Sequence, residues 1–198
     1  IKGLTSALFG TVTGATIKNV KLTEVNVVEN EKFHFGILVC EAVGTSISNC
    51  FVGGNFVYEN GNAITSATND SFAVGAMVGV LEGASTLSDS TTDVVVDIKE
   101  FAASASAKIY TGLGGIVGRT EGSSTTSIQI TNCTSLSQLT NSSPNVSNVQ
   151  PAIGGIAGLA YKTSFNTIVN GAEGENNSGD ITLTTHIGCA CVASIVGA

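Results

Sequence analysis

Leu113-Gly114-Gly115-Ile116-Val117-Gly118 is one of six related phrases in the chain. The others are Ala7-Leu8-Phe9-Gly10, Phe35-Gly36-Ile37-Leu38-Val39-Cys40, Val74-Gly75-Ala76-Met77-Val78-Gly79, Ile153-Gly154-Gly155-Ile156-Ala157-Gly158 and Val192-Ala193-Ser194-Ile195-Val196-Gly197. Their last residues fall at 10, 40, 79, 118, 158 and 197, in steps of 30, 39, 39, 40 and 39. A fixed period of this length marks a repeat architecture, in which each unit buries its apolar side only against its neighbours. The phrase predicts a buried strand in every repeat, with Leu8, Leu38, Met77, Ile116, Ile156 and Ile195 stacked as one core row.

Working outward, Gly14, Gly44, Gly83 and Gly122 each lie four residues past a phrase, where a reversal asks for positive φ. The fifth repeat has Lys162 there instead. Next come alternating segments, Thr16 to Val20, Ser46 to Cys50 and Ser127 to Cys133, whose period of two marks strands with one buried face. A third strand per repeat is expected at Val25 to Val28, Asn55 to Tyr58, Val94 to Ile98, Leu136 to Leu139 and Ile181 to Thr184. With three short strands per repeat and no useful helical periodicity, the chain is predicted to be all-β. Its fold is then a parallel β-helix of about five coils. Residues 1–198 form a single repeat domain, expected to be a piece of a longer array. The segments Glu100 to Tyr110 and Asn141 to Gln150 lengthen the later repeats as protruding loops, the first with room for a short helix at Phe101 to Lys108.

Composition bounds the partners. Only 12% of the 198 residues are charged, the net charge is −7 and the eight basic residues are scattered. No cationic stripe exists to neutralise phosphates, so nucleic acid is a poor partner. No apolar run reaches the roughly 18 residues of a membrane span, so this segment is expected to make no membrane contact. A surface of Ser, Thr and Asn is expected in place of Lys and Glu.

The pairing of Gly114 to Gly118 with a glycine turn and then Ile47-Ser48-Asn49-Cys50, or Ile17-Lys18-Asn19-Val20, resembles the GLUG repeat. That resemblance covers the whole chain and implies a right-handed parallel β-helix from a large surface-exposed or secreted protein. Adhesin-like stalks and modules appended to surface enzymes both belong to that family. The chain departs from the pattern at Cys40 in place of the last Gly, at Leu87-Ser88-Asp89 in place of Ile-x-Asn, and at the inserted Thr125 and Thr126.

Chemistry-bearing groups are sparse. Asp89, Asp93 and Asp97 recur every four residues, and alternation through Val94, Val96 and Ile98 puts Asp93 and Asp97 on one outer face. Those two are the candidate catalytic pair for a polysaccharide, or ligands for a structural Ca²⁺, or ordinary solvated carboxylates. Cys40 and Cys50 are candidate disulfide partners if the segments that they end are adjacent, and the reading preferred over that is buried small hydrophobes. His186, Cys189 and Cys191 lack the fourth ligand of a structural metal site, so no metal site is assigned. Five sequons occur; Asn69, Asn141, Asn145 and Asn176 fall in expected loops and are candidate glycosylation sites. Asn132 falls in a strand, where it is expected to join a stacked row with Asn19 and Asn49. Neither histidine sits in a triad context, and no Gly-rich cluster opens a helix.

These features favour a structural or adhesive repeat segment, extracellular or on the cell surface, without catalysis of its own. Its partners are other repeats of the parent chain, copies of itself, or surface glycans and proteins. A filament subunit is the second reading, and a polysaccharide-binding or polysaccharide-degrading module the third.

Overall fold

The computed structural model describes residues 1–64, 72–103, 109–142, 149–171, 181–183, 191–193 and 196. Strands come first as β1 (Phe9–Thr13), β2 (Thr16–Lys18) and β3 (Lys21–Glu29), then as β4 (His34–Gly36), β5 (Val39–Val43), β6 (Ser46–Ser48) and β7 (Phe51–Ile64). The pattern returns in β8 (Ala73–Gly75), β9 (Val78–Glu82), β10 (Thr86–Ser88) and β11 (Thr91–Ala103). It returns again in β12 (Ile109–Gly114), β13 (Val117–Glu121), β14 (Ile128–Ser135) and β15 (Gln138–Asn141). The remaining strands are β16 (Val149–Gly154), β17 (Ala157–Tyr161), β18 (Thr163–Asn170), β19 (Ile181–Leu183) and β20 (Cys191–Ala193).

Every strand pair is parallel, and strands from equivalent places in the period stack on one another. One sheet runs β1-β5-β9-β13-β17 and a second runs β4-β8-β12-β16-β20. The third and largest follows β2-β6-β10-β14-β11-β15-β19, with β3, β7 and β18 joined to it. The chain is therefore an all-β, solenoid-like stack of parallel strands. Where three strands per period are expected from sequence, the third sheet carries two segments, such as β6 and β7, parted by a left-handed residue at Asn49 (φ 51°). Phe101 to Ala103, inside the expected helix, extend β11; the rest of that segment lies outside the described residues.

The repeated phrase makes the corner between the second and first sheets. Leu38, Met77, Ile116 and Ile156 are fully buried there, and Leu8 packs against them partly covered. Backbone bonds tie the row together: the N–H of Leu38 donates to Met77 O, that of Met77 to Ile116 O and that of Ile116 to Ile156 O, each at 3.0 Å. Ile195 lies outside the described residues. Glycines let the two sheets close on each other at this corner. A Cβ on Gly36 would stand 2.5 Å from Val78 Cα, and one on Gly118 would stand 2.6 Å from the Ala73 carbonyl carbon.

Alternation sets the third sheet. Val94, Val96 and Ile98 are buried while Asp93 and Val95 face out, and Leu22, Val25 and Val27 do the same in β3. An aromatic group fills the space behind the second sheet: the Phe35 and Phe56 ring centroids are 4.9 Å apart, and Tyr58 meets Phe72 edge to face at 6.0 Å. Ser and Thr also occur inside the stack. Thr45, Ser85, Ser90, Thr92, Ser135 and Ser137 are buried at corners. There Ser85 Oγ accepts from the Thr45 N–H at 3.0 Å, Ser90 Oγ from the Cys50 N–H at 3.1 Å and Ser137 Oγ from the Val94 N–H at 3.2 Å. A parallel stack leaves amide groups unpaired where the chain turns, and short hydroxyl side chains satisfy them without occupying apolar volume.

The glycine turn row is corrected at one place. Gly14, Gly44 and Gly83 have φ of 61°, 55° and 67°, but Gly122 does not reach positive φ, while Lys162 does at 47°. The residues added at Thr125 and Thr126 lengthen the fourth turn, so it closes without a left-handed residue; the fifth keeps the short turn and imposes the conformation on a lysine.

Candidate functional site

The carboxylates that the sequence singles out do not converge. Asp93 and Asp97 share the outer face of β11, but four residues of regular strand place their Cα atoms about 13 Å apart. That exceeds the roughly 5–9.5 Å over which paired carboxyls hydrolyse a glycosidic bond. Across the sheet Asp93 stands beside Gly53, and Asp97 beside Val57 and Thr140; no second carboxylate adjoins either in register. Asp97 Oδ1 accepts from the Ser142 hydroxyl at 3.4 Å. Among the described residues no group of three His, Cys, Asp or Glu side chains could enclose a cation, and the Ca²⁺ expectation finds no such cluster at this pair.

Chemistry gathers instead where the second period departs from the others. His34 stands where β8 has Ala73, Glu41 where β9 has Val80, and Cys40 where β9 has Gly79. All three line a half-open cleft of about 380 Å³, with Thr11, Lys32 and Phe33. His34 Nδ1 is 2.7 Å from Glu41 Oε1, and the Thr11 hydroxyl donates to Glu41 Oε2 at 3.2 Å. The loop carrying Lys32 is strapped in place: Glu29 Oε1 accepts from the N–H groups of Glu31 and Lys32, both at 2.9 Å, and the Tyr58 hydroxyl donates to Lys32 O at 2.7 Å.

A Cys-His-Glu constellation suggests a nucleophile, but two facts oppose it. Cys40 and Glu41 are successive strand residues and so point to opposite faces of the sheet. Burial also pushes the Cys40 thiol up, with the Gly36 backbone bond opposing more weakly, so the thiolate needed for attack is disfavoured. On the first sheet, Glu82 is raised first by burial and then by Glu121, its neighbour in register. Arg119 pairs with Glu121 at 2.9 Å and offsets part of that repulsion.

The second feature is a row of left-handed residues at the bend of the third sheet. Asn19, Asn49, Asp89, Asn132 and Thr167 have φ of 59°, 51°, 50°, 53° and 52°. Asn49 Nδ2 donates to Asn19 Oδ1 at 2.7 Å, and Asn132 Nδ2 donates to Asp89 Oδ1 at 2.7 Å. Hydrogen bonds from Asn132, and then Ser88, hold the Asp89 carboxyl below its usual range. A cleft of about 310 Å³ runs beside this row, between it and Lys21, Phe51 and Thr91.

Other candidates are placed as follows. Cys40 and Cys50 are free, buried thiols. Cys40 lies level with Gly79 in the first sheet, whereas Cys50 follows β6 in the third and donates to Ser48 O at 3.3 Å, so the pairing that the sequence allowed is not made. Asn141 is 1% exposed at the end of β15, which corrects its place among the glycosylation candidates: a glycan needs its amide in solvent. Asn69, Asn145, Asn176, His186 and Cys189 lie outside the described residues, and Cys191 opens β20.

No family model matches the chain, and no curated protein matches it. Among solved structures, one titled "putative immunoglobulin A1 protease from Bacteroides ovatus" is similar over 95% of this chain, at 16% identity and a TM-score of 0.43. This chain spans 66% of that protein's length. A likeness that distant carries no argument about activity.

Proposed function

We propose that the chain is a structural and adhesive repeat segment of an extracellular or cell-surface protein, a right-handed β-helix of the GLUG type with about five coils and no catalysis of its own. The observation that carries this reading is the unbroken register of the first sheet: Val39, Val78, Val117 and Ala157 pair in sequence from β5 to β17. Such a stack resists bending and presents columns of side chains on fixed outer faces, the properties of a stalk or of an extended binding surface. The charged groups on these faces pair with one another, as His34 does with Glu41 and Arg119 with Glu121.

Beads coated with the folded chain are expected to attach to cells or to glycan-coated surfaces, and heat-unfolded chain is expected not to. Depolymerisation of a glycan that disappears in Asp93→Asn or Asp97→Asn would overturn the reading in favour of an enzyme. A filament subunit is the second reading, and it rests on the same all-parallel register, which strands of another copy could continue. Electron microscopy across a concentration series separates the two: fibres that grow with concentration support the filament.

A further inference from the structure

The row of left-handed residues is interrupted at two places among the described residues, between Asn132 and Thr167, whose hydroxyl donates to Asn166 instead, and between Asn49 and Asp89, where the break has a chemical cause. Two of the three side-chain amides in the row give an N–H to the preceding strand, so the oxygen of each is left for a donor from the next one. Asn49 gives to Asn19, and Asn132 gives to Asp89. Asp89 comes between, and a carboxylate has no N–H to give. Among the described residues no hydrogen bond joins the Asn49 and Asp89 side chains. The Asn49 amide oxygen and the Asp89 carboxylate, which already accepts from Asn132 and Ser88 and keeps further lone pairs, are thus acceptors on adjacent strands, whose backbones are about 4.8 Å apart.

What lies beside these acceptors narrows what could meet them. Lys21, Phe51 and Thr91 are neighbours in register across β3, β7 and β11, and all three line the same 310 Å³ cleft. The Lys21 ammonium sits 5.5 Å from the Phe51 ring centroid. A bare cation fits poorly. It would find two protein oxygens where Ca²⁺ takes 6–8, beside a fixed positive charge. A group that offers donors to Asn49 and Asp89, an acceptor to Lys21 and Thr91, and an apolar C–H surface to Phe51 fits well. Vicinal hydroxyls on a pyranose do all of these, and the volume is at the small end of ligand pockets, enough for one or two rings.

We propose that the cleft between the Asn49–Asp89 break and the Lys21–Phe51–Thr91 row is a subsite for a neutral pyranose of a surface glycan. This rests on the adhesive reading and names the chemistry of its contact.

The test uses the whole chain, labelled with ¹⁵N, and millimolar cellobiose, lactose, maltose and chitobiose as probes. At least one is expected to shift the Asn19 and Asn49 side-chain amide signals saturably. Asp89→Asn restores a donor to the row and preserves the fold, and it should weaken that binding about tenfold or more, the factor that one charge-assisted hydrogen bond carries. Phe51→Ala should weaken it as well. The proposal is overturned if no sugar shifts these signals, if Asp89→Asn binds as tightly as the parent, or if CaCl₂ alone shifts them saturably, which would assign a cation site. Bead attachment that persists undiminished in Asp89→Asn would overturn this subsite while leaving the adhesive reading standing.

Discussion

Two features recur along the stack, and they obey different rules. At the corner through Leu38, Met77, Ile116 and Ile156 the side chains differ in shape but all are apolar and fully buried, and glycines flank them. At the bend through Asn19, Asn49, Asp89, Asn132 and Thr167 the backbone is nearly constant, while the side chain changes from amide to carboxylate to hydroxyl. The corner selects for volume and the absence of charge, because its neighbours above and below leave no water. The bend selects for a short polar side chain that tolerates left-handed φ, because solvent covers whatever the next strand does not. The bend therefore tolerates different side chains, and Asp89 is the one that, among the described residues, leaves Asn49 without a partner above it.

The largest effect should come from charging the corner. Ile116→Asp is expected to unfold or misassemble the chain, with a loss of about 4 kcal/mol or more, whereas Asp93→Asn on the outer face should stay within about 0.5 kcal/mol. Thermal unfolding followed by circular dichroism reads both. Equal effects would erase the distinction between corner and face.

A smaller effect belongs to the thiol of Cys133, fully buried behind the bend, whose pKa burial raises to about 11. In the unfolded chain it ionises near its ordinary value, so its contribution is intact below that value and is lost as pH rises toward 11. The loss is on the order of 2 kcal/mol. Denaturant midpoints measured from neutral to alkaline pH should fall in the parent and fall less in Cys133→Ala.

Next is the turn row that precedes the bend. Lys162→Gly should stabilise by about 0.5 to 1 kcal/mol, because the lysine holds a φ of 47° that glycine adopts without strain. Gly122→Ala carries no such backbone term, since Gly122 is not left-handed, and its cost is steric, with a Cβ set 2.7 Å from that of Lys162. The smallest effect is that of Asp89→Asn, which should raise the melting temperature slightly by supplying the N–H that the Asn49 oxygen lacks. A fall would mean that the charge-assisted bonds from Asn132 and Ser88, weakened when the carboxylate is lost, outweigh the new contact with Asn49.

Much of the corner was legible in the sequence, because a buried row repeats its apolar character at a fixed spacing and glycine marks each close approach of backbone. The alternation around Val94 to Ile98 likewise placed Asp93 and Asp97 on the surface. Their distance from one another was not visible as an obstacle until the strand was seen to run straight. Asn19, Asn49 and Asn132 could be aligned from sequence as a row, and Asp89 could be seen standing in the Asn position of its repeat, but that it bonds Asn132 and not Asn49 came only from the structure. The cleft at His34 and Glu41 was hidden for a related reason. Residues seven apart meet only because the chain folds back at Ile37 and Leu38, and nothing local to either residue announces that. Its one signal was Cys40 breaking the glycine pattern. Buried hydroxyls such as Ser85 and Ser90 escaped notice because Ser and Thr are common throughout the chain, and composition does not separate those that face corners from those that face water.

The central claim is that equivalent residues of successive phrases stack directly on one another. Methyl NOE spectroscopy on Leu38, Met77, Ile116 and Ile156 tests it most directly. Strands about 4.8 Å apart should give strong cross-peaks from Leu38 to Met77, from Met77 to Ile116 and from Ile116 to Ile156, with none of comparable strength between Leu38 and Ile116. Cross-peaks displaced to other residues, or missing between successive members, would contradict the stack.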